Sequence, residues 1–183
     1  MDKSTPAAHL IDEDLQLDTP LWQFALRAWQ NPGIAGLCLQ LQAAGWSVTR
    51  LLCASWLAGE GRRYSPEALR VTAWRTAMTG PLRALRQSLL KQSASTAALR
   101  AKLADAELEA ERIELALAYA DMAIQTGTGN DAFAHQPREQ RLQANLTSAG
   151  PEATAIDETT QDMIQTLSRQ LARQFDTATE TAT

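Results

Sequence analysis

The sequence is poor in the residues that most catalytic and metal-binding sites require. It has two cysteines, Cys38 and Cys53, and two histidines, His9 and His135. A metal held by the cysteines would need companions, and both histidines fall in stretches that read as flexible. The two cysteines are expected as buried, reduced core thiols. A redox pair is the alternative, because a helical hairpin turning at Gly45 would hold them at similar depth. Between Pro20 and Ala58 there is no Asp or Glu at all, so the most apolar part of the chain carries no carboxylate for acid–base work. A glycine-rich phosphate loop, a serine in a strand–turn–helix setting and an Asp-rich diphosphate motif are also missing. These absences point to a protein that is not an enzyme, with no catalytic residues, no metal and no cofactor.

Long hydrophobic runs are lacking too. The most apolar stretch, "GLCLQLQAAGWSVTRLLCASWLAGEG" from Gly36 to Gly61, is interrupted by Gln40, Gln42, Gly45, Ser47 and Arg50. Its longest polar-poor run is Leu51 to Ala58, too short to span a bilayer as a helix. The first eighteen residues carry Asp2, Asp12, Glu13, Asp14 and Asp18 against Lys3, which is not the basic flank of a secretion signal. The expectation is a cytoplasmic protein without a disulfide framework and without a membrane.

What is present is helical periodicity, and no strand-like alternation accompanies it. The reading is all-α: a compact helical bundle, a long charged helix or helix pair, and a tethered C-terminal amphipathic helix. Residues 1–18 read as an acidic flexible N-terminus and 19–80 as the compact domain. Thr19-Pro20 starts a helix that puts Trp22, Leu26 and Trp29 on one face. A second helix carries Ile34, Leu37, Cys38 and Leu41, with Gly45 as its C-cap. The third, from Ser47 to about Ala58, is apolar nearly all round and is expected at the centre of the domain. Ser65-Pro66 repeats the start signal for a fourth, which runs to Thr79-Gly80. All five tryptophans lie between residues 20 and 75, so large side chains are expected in the core there.

Residues 81–126 carry a heptad-like pattern: Leu82, Leu85, Leu89, Leu99, Leu103, Ala106, Ala110, Ile113, Leu117, Ala120 and Ile124, with Gln92 and Thr96 as polar members. Register kept across Ser93-Ala94-Ser95 suits one continuous helix, and two ordinary helices meeting near Ser93 are the equal alternative, since helices this long are uncommon. Residues 127–158 read as a disordered linker. Residues 159–176 form an amphipathic helix with the stripe Met163, Ile164, Leu167, Leu171 and Phe175, capped by Thr159 and Asp162, and 177–183 a flexible end. The stripe suits docking in a groove, either of this chain or of a partner.

Charge is distributed unevenly along the chain. Gly61 to Lys102 holds nine basic residues against one acid, and Leu103 to Gln125 holds six acids against one base, within a net charge of -4. The basic candidates for partner or phosphate contact are Arg62, Arg63, Arg75, Arg83, Arg86, Lys91, Arg100 and Lys102. Asp105, Glu107, Glu111 and Glu114 form the acidic partner face. Glu107, Glu111 and Glu114 share a helix side, half of what a carboxylate-bridged metal pair needs, but no Glu-x-x-His accompanies them, so a solvated face is expected. The charge step suits an antiparallel homodimer in which Arg100 approaches Glu107 and Lys102 approaches Asp105. It also suits nucleic acid, although only Tyr64 and Trp74 support it with aromatic rings, and it suits a plain solvated surface.

The functional expectation is a non-catalytic scaffold or regulatory interaction protein acting through helix–helix contacts, with a protein partner or itself. The alternative is a nucleic-acid or ribosome-associated protein using the face from Arg62 to Lys102. A helical small-molecule-binding domain or enzyme, with a pocket among the tryptophans, comes third.

The blocks Trp22, Phe24, Ala25, Leu26, then Pro32, Gly33, Ile34, Cys38, Leu39, Leu41, Gln42, then Gly45, Val48, Leu51, Leu52 and Trp56 carry a resemblance. They resemble the W-x-F-A-L, P-G-V-x-x-x-C-L-x-L-Q and G-x-D-V-N-L-L-L pattern of an uncharacterised, mainly proteobacterial family of small helical proteins. "GPLRALRQSLL" from Gly80 and "AELEAERIE" from Ala106 resemble later blocks, so the likeness covers roughly residues 20 to 115. It implies a cytoplasmic helical protein and no reaction. Ser47, Thr49 and Arg50 replace the pattern's Asp, Asn and Leu, and Ser47 and Thr49 keep the capacity to cap the third helix.

Overall fold

The computed structural model describes residues 11–124, 131–151 and 156–180. Among them there are helices and no strand. In chain order these are α1 (Pro20–Trp29), α2 (Pro32–Ala43), α3 (Val48–Gly59), α4 (Leu69–Trp74), a π-helical stretch (Arg75–Thr79), α5 (Gly80–Ser88), α6 (Ala97–Ile124), α7 (Asp131–Ala134), α8 (Arg138–Ser148) and α9 (Glu158–Glu180). The described residues divide into two compact units. Residues 11–22 with 67–124 make the first, and residues 23–66 with 131–180 the second.

In the second unit the sequence signals set the helix ends. The Asn31 side chain accepts from the backbone N–H groups of Gly33 and Ile34, with Pro32 at the first helical position of α2. The Ser47 hydroxyl accepts from the Arg50 N–H at the start of α3. Gly45 and Gly61 take positive φ, 91° and 73°, after α2 and α3. At each the following N–H reaches back: Trp46 to the carbonyl of Leu41 at 3.0 Å, Arg62 to that of Leu57 at 2.8 Å. These are two Schellman closures, which need a residue free of Cβ strain.

α2, α3, α8 and α9 then close a ring. α3 packs on α2 and on α8, α8 on α9, and α9 back on α2. α3 buries Val48, Thr49, Leu51, Leu52, Cys53, Ala54, Ser55, Leu57 and Ala58, as its all-round apolar character requires. Cys38 and Cys53 are buried in this core and form no disulfide, and burial pushes the Cys38 thiol up to about 12. Leu41, Leu142, Leu146 and Leu167 are completely buried. Each such leucine stabilises the fold by roughly 1.5–3 kcal/mol relative to exposure.

Four readings of the sequence change here. The stretch 127–158 is not all linker, because α8 is a wall of the core; residues 125–130 and 152–155 lie outside the described residues. Its buried face is Arg141, Leu142, Asn145, Leu146 and Ala149, a helical stripe with only two leucines, which is why it reads as polar. Asn145 accepts from the Tyr64 N–H at 3.0 Å and donates to the carbonyls of Ala54 and Arg62, fixing the turn after α3. The C-terminal helix is longer than 159–176 and docks on its own chain: Ile164, Leu167 and Leu171 are buried, Met163 is half-buried, and Phe175 stacks on Phe24 with centroids 5.2 Å apart. Its cap is Asp157, which accepts from the Thr160 N–H at 2.7 Å, rather than Thr159 and Asp162. Finally, α1 buries Leu21, Phe24, Ala25 and Ala28, the opposite choice from Trp22, Leu26 and Trp29; Leu26 and Trp29 are exposed.

In the first unit, α4, the π-helical stretch and α5 follow one another without a break from Leu69 to Ser88. The expected interruption at Thr79-Gly80-Pro81 is absorbed by the π turns. In an α-helix Pro81 would lack its hydrogen bond and clash one turn back; here the Gly80 N–H reaches Arg75's carbonyl and the register shifts around it. The Ser65-Pro66 signal does not start α4, which begins at Leu69 with no side-chain cap. The 81–126 segment is a helix pair: α5 ends at Ser88, α6 starts at Ala97, and the two pack on each other. Of the two readings of this segment, one long helix or a helix pair, the structure has the pair.

Candidate interaction face of the helical hairpin

The hairpin's interior is ionic. Arg83 donates to Glu107 at 2.9 Å and to Glu111 at 2.5 Å. Arg86 clasps both oxygens of the same Glu107. Arg75 takes Glu67 through both terminal nitrogens, at 2.6 and 2.7 Å, and donates its Nε to Glu114 at 2.7 Å. Arg70 joins Asp121 at 2.6 Å and Asp12 at 2.9 Å. Along α6 the acids at 107, 111, 114 and 121 therefore meet, in reverse order, arginines at 86, 83, 75 and 70. That order is the register of an antiparallel helix pair. Arg100 finishes the hairpin by donating to the carbonyls of Arg86 and Leu89, the open end of α5. Trp74 adds a hydrogen bond from its ring N–H to the Ala110 carbonyl at 2.9 Å.

The protonation preferences follow from this packing. Burial opposes the charge of Glu107, but hydrogen bonds from Arg86 and Arg83 outweigh it and hold the carboxyl below its ordinary range. For Glu111 burial wins over the attraction of Arg83, with Glu107 adding repulsion, so that carboxyl sits above its ordinary value. Arg75 is penalised by burial and held fully protonated by Glu67 and Glu114. Glu107 and Glu114 are 5% and 1% exposed, so the solvated acidic face expected from the sequence is a buried one. A buried carboxylate is tolerated only when paired, and these are.

With the charges inside, leucines are left outside. Leu85 is 55% exposed, Leu90 77%, Leu99 53% and Leu108 50%. Projecting the helices at 100° per residue shows how they are disposed. Taking the Arg83/Arg86 side of α5 and the Glu107/Glu111 side of α6 as facing each other, Leu82, Leu85 and Leu89 lie on one flank of α5. Leu99, Leu103 and Ala106 lie on the flank of α6 turned the same way, because the helices are antiparallel. Leu82, Leu89 and Leu103 are half-buried, and Leu85, Leu99 and Ala106 are exposed. The heptad positions from Leu82 to Ala106 thus lie on one flank of the hairpin, whereas Ala110 and Leu117, further along α6, are buried. Leu108 projects from the other flank. A contiguous exposed apolar patch of this kind marks a contact surface.

The basic residues are divided between the two units. Arg62 and Arg63 belong to the turn after α3 in the second unit, where the Arg63 guanidinium lies 4.4 Å over the Phe133 ring. Arg75, Arg83, Arg86 and Arg100 are occupied within the first unit. Lys91 and Lys102 are exposed near the hairpin's tip, and Asp105 is exposed on α6, outside the ionic interior. The neutralisation expected between two chains, including Arg100 with Glu107, occurs instead inside one. The sequence reading counted Asp121 among the six acids but left it out of the partner face, although it lies one heptad beyond Glu114, and it did not join Arg70 and Glu67 to the acidic side. The tail stripe from Met163 to Phe175 serves the second unit's core and its Phe24 stack. Among the described residues no group of His, Cys, Asp and Glu is placed to hold a metal ion, and no helix is long and apolar enough to cross a membrane.

The family described as a protein of unknown function, DUF2390, matches residues 20–117, which include the whole hairpin face. No curated protein and no solved structure matches the chain.

Proposed function

Since the chain belongs to the DUF2390 family, which has no assigned function, we propose from the hairpin's geometry that it is a non-catalytic interaction protein that works through helix–helix contacts. The observation that carries this is the inversion of the hairpin: Glu107 and Glu114 inside, Leu85 and Leu99 outside. A helix pair selected only for stability would bury its leucines and expose its charges. An apolar helix of a partner lying along Leu82, Leu85, Leu89, Leu99 and Leu103 would complete the arrangement, as in helix-in-groove recognition. Of the basic residues from Arg62 to Lys102, Arg70, Arg75, Arg83, Arg86 and Arg100 are taken by carboxylates or carbonyls, which leaves a sparse footprint for nucleic acid there.

The test is a photo-crosslinking amino acid placed at position 85, 99 or 69 of the full chain in cells that make it. Leu69 is 88% exposed but belongs to α4, outside the proposed face. Adducts with polypeptide at 85 and 99, and not at 69, are expected. Equal crosslinking at all three positions, or adducts that vanish with nuclease, would overturn the reading.

A further inference from the structure

We infer that the helix which covers this face is the same face of a second copy of the chain, laid antiparallel across a two-fold axis near Ala106. The inference rests on the hairpin face being a helix-docking surface, and it names the occupant. The argument is the distribution of charge along the edge of that face. At the tip end stand Lys91 and Lys102, both exposed; further along α6 stand Asp105 and Glu109, also exposed, Glu109 with 63% of its side chain in solvent. Glu109 pairs with Arg112 at 3.8 Å, one turn along the helix, so its carboxylate is open to a better partner. The edge therefore runs from positive to negative along a single helix.

Such an edge is self-complementary only when a copy is turned end for end. Lys102 and Glu109 are seven residues apart, two helical turns, on the same side of α6. Ala106 lies between them, small and exposed. A two-fold crossing there brings Lys102 of each chain to Glu109 of the other and lets the α6 backbones approach at the alanine. Leu99 then meets the other chain near Ile113, which is half-buried in the single chain. Every contact occurs twice, as an isologous interface requires. A parallel copy would put lysine on lysine and glutamate on glutamate, which the same edge disfavours.

Two experiments on the full chain test this. In the first, sedimentation velocity over a concentration series follows the wild type, Lys102→Glu, Glu109→Lys and the double exchange. The wild type is expected to form dimers, each single exchange to weaken them about tenfold, and the double exchange to return within about threefold of the wild type. In the second, Ala106→Cys and Ala101→Cys are treated with oxidised glutathione. Ala101 is exposed on the opposite flank of α6, and both native cysteines are buried. A disulfide-linked dimer is expected from Ala106→Cys alone. A wild-type chain that remains monomeric into the millimolar range overturns the inference, as does a dimer indifferent to the single exchanges or equal crosslinking from both cysteine variants. If position 85 crosslinks to some other polypeptide while the chain sediments as a monomer, the second copy is wrong and the docking face stands; if neither 85 nor 99 crosslinks, the face itself fails.

Discussion

The ring of the second unit and the α5–α6 hairpin of the first solve the same problem, holding helices together, with opposite materials. In the ring of α2, α3, α8 and α9 the interior is Leu41, Leu51, Leu142, Leu146, Ile164, Leu167 and Leu171, each at most 2% exposed. In the pair of α5 and α6, carboxylates and guanidinium groups occupy the inside, and α5 has no buried residue at all. Apolar packing is strong and non-directional, so the ring can be stable without a partner. A buried ion pair repays little more than its own desolvation but allows one register only, so the hairpin is well specified and its apolar surface is left free. The difference teaches that charge placed inside a small element can be a way of keeping hydrophobic surface outside.

The largest way to break this contrast is to remove the charge at the hairpin's centre. Glu107→Ala would leave Arg86 without a carboxylate and Arg83 with Glu111 alone, and it should cost about 3–5 kcal/mol, the usual penalty for breaking a buried ion pair. Chemical denaturation read by a probe on α6 would show the loss, with α3 unfolding at its ordinary midpoint. In the ring, Leu167→Ala should cost about 2–5 kcal/mol through the cavity it leaves. There the loss should be read on α8 and α9, its packing partners. Asn145→Ala comes next: the Tyr64 N–H and the carbonyls of Ala54 and Arg62 lose their partner, at about 1–3 kcal/mol for each group that water does not reach. Faster amide exchange at Tyr64 would report it. The smallest effect belongs to the exposed leucines. Leu85→Asn should change stability by no more than about 0.5 kcal/mol, a value measurable by the same denaturation, because little apolar area leaves water there in the single chain.

Acid sharpens the same contrast. Glu107 has a folded pKa below its unfolded value, so its contribution is complete above the ordinary carboxylate range of about 4 and is lost as pH falls through the folded pKa. Glu111 has the opposite sign: its folded pKa is raised, so its ionised form weakens the hairpin at neutral pH, and acidification through the raised pKa relieves that first. The hairpin should therefore gain slightly in mild acid and then lose stability steeply. Glu111→Gln should remove the gain and keep the loss, as read from denaturation midpoints across pH. The ring has no buried acid among its described residues and should keep a flat profile through the same interval.

How much of this was legible in the sequence depends on how many residues each signal needs. The caps at Ser47 and Gly45 are local signals of two to four residues, and they appear where the spacing puts them. α3 could be placed at the centre because its own residues exclude a polar face. α8 could not be recognised, because its identity as a core wall depends on Leu142, Asn145 and Leu146 meeting α3, a long-range fact that no window contains. The face of α1 went wrong for a related reason: size suggested the tryptophans, whereas packing selected the smaller Ala25 and Ala28 with Leu21 and Phe24. At the hairpin, Glu107, Glu111, Arg83 and Arg86 were all singled out, but as surfaces between molecules. Heptad register preserved through Ser93 argued for one helix, and the turn that joins α5 to α6 keeps that register only because both flanks must end on the same side. The sequence showed the charges and the heptads; only the fold shows that one set lies inside and the other outside.

The claim that the ring and the hairpin are held by different forces is tested most directly by amide hydrogen exchange, expressed as protection factors, at pH 7 and at about pH 3, below the ordinary carboxylate range. The account predicts that in acid the amides of α5 and of α6 from Ala97 to about Glu114 lose protection, while those of α3, α8 and α9 keep theirs. Equal loss in both units, or a hairpin that stays protected once its carboxylates are protonated, would contradict it.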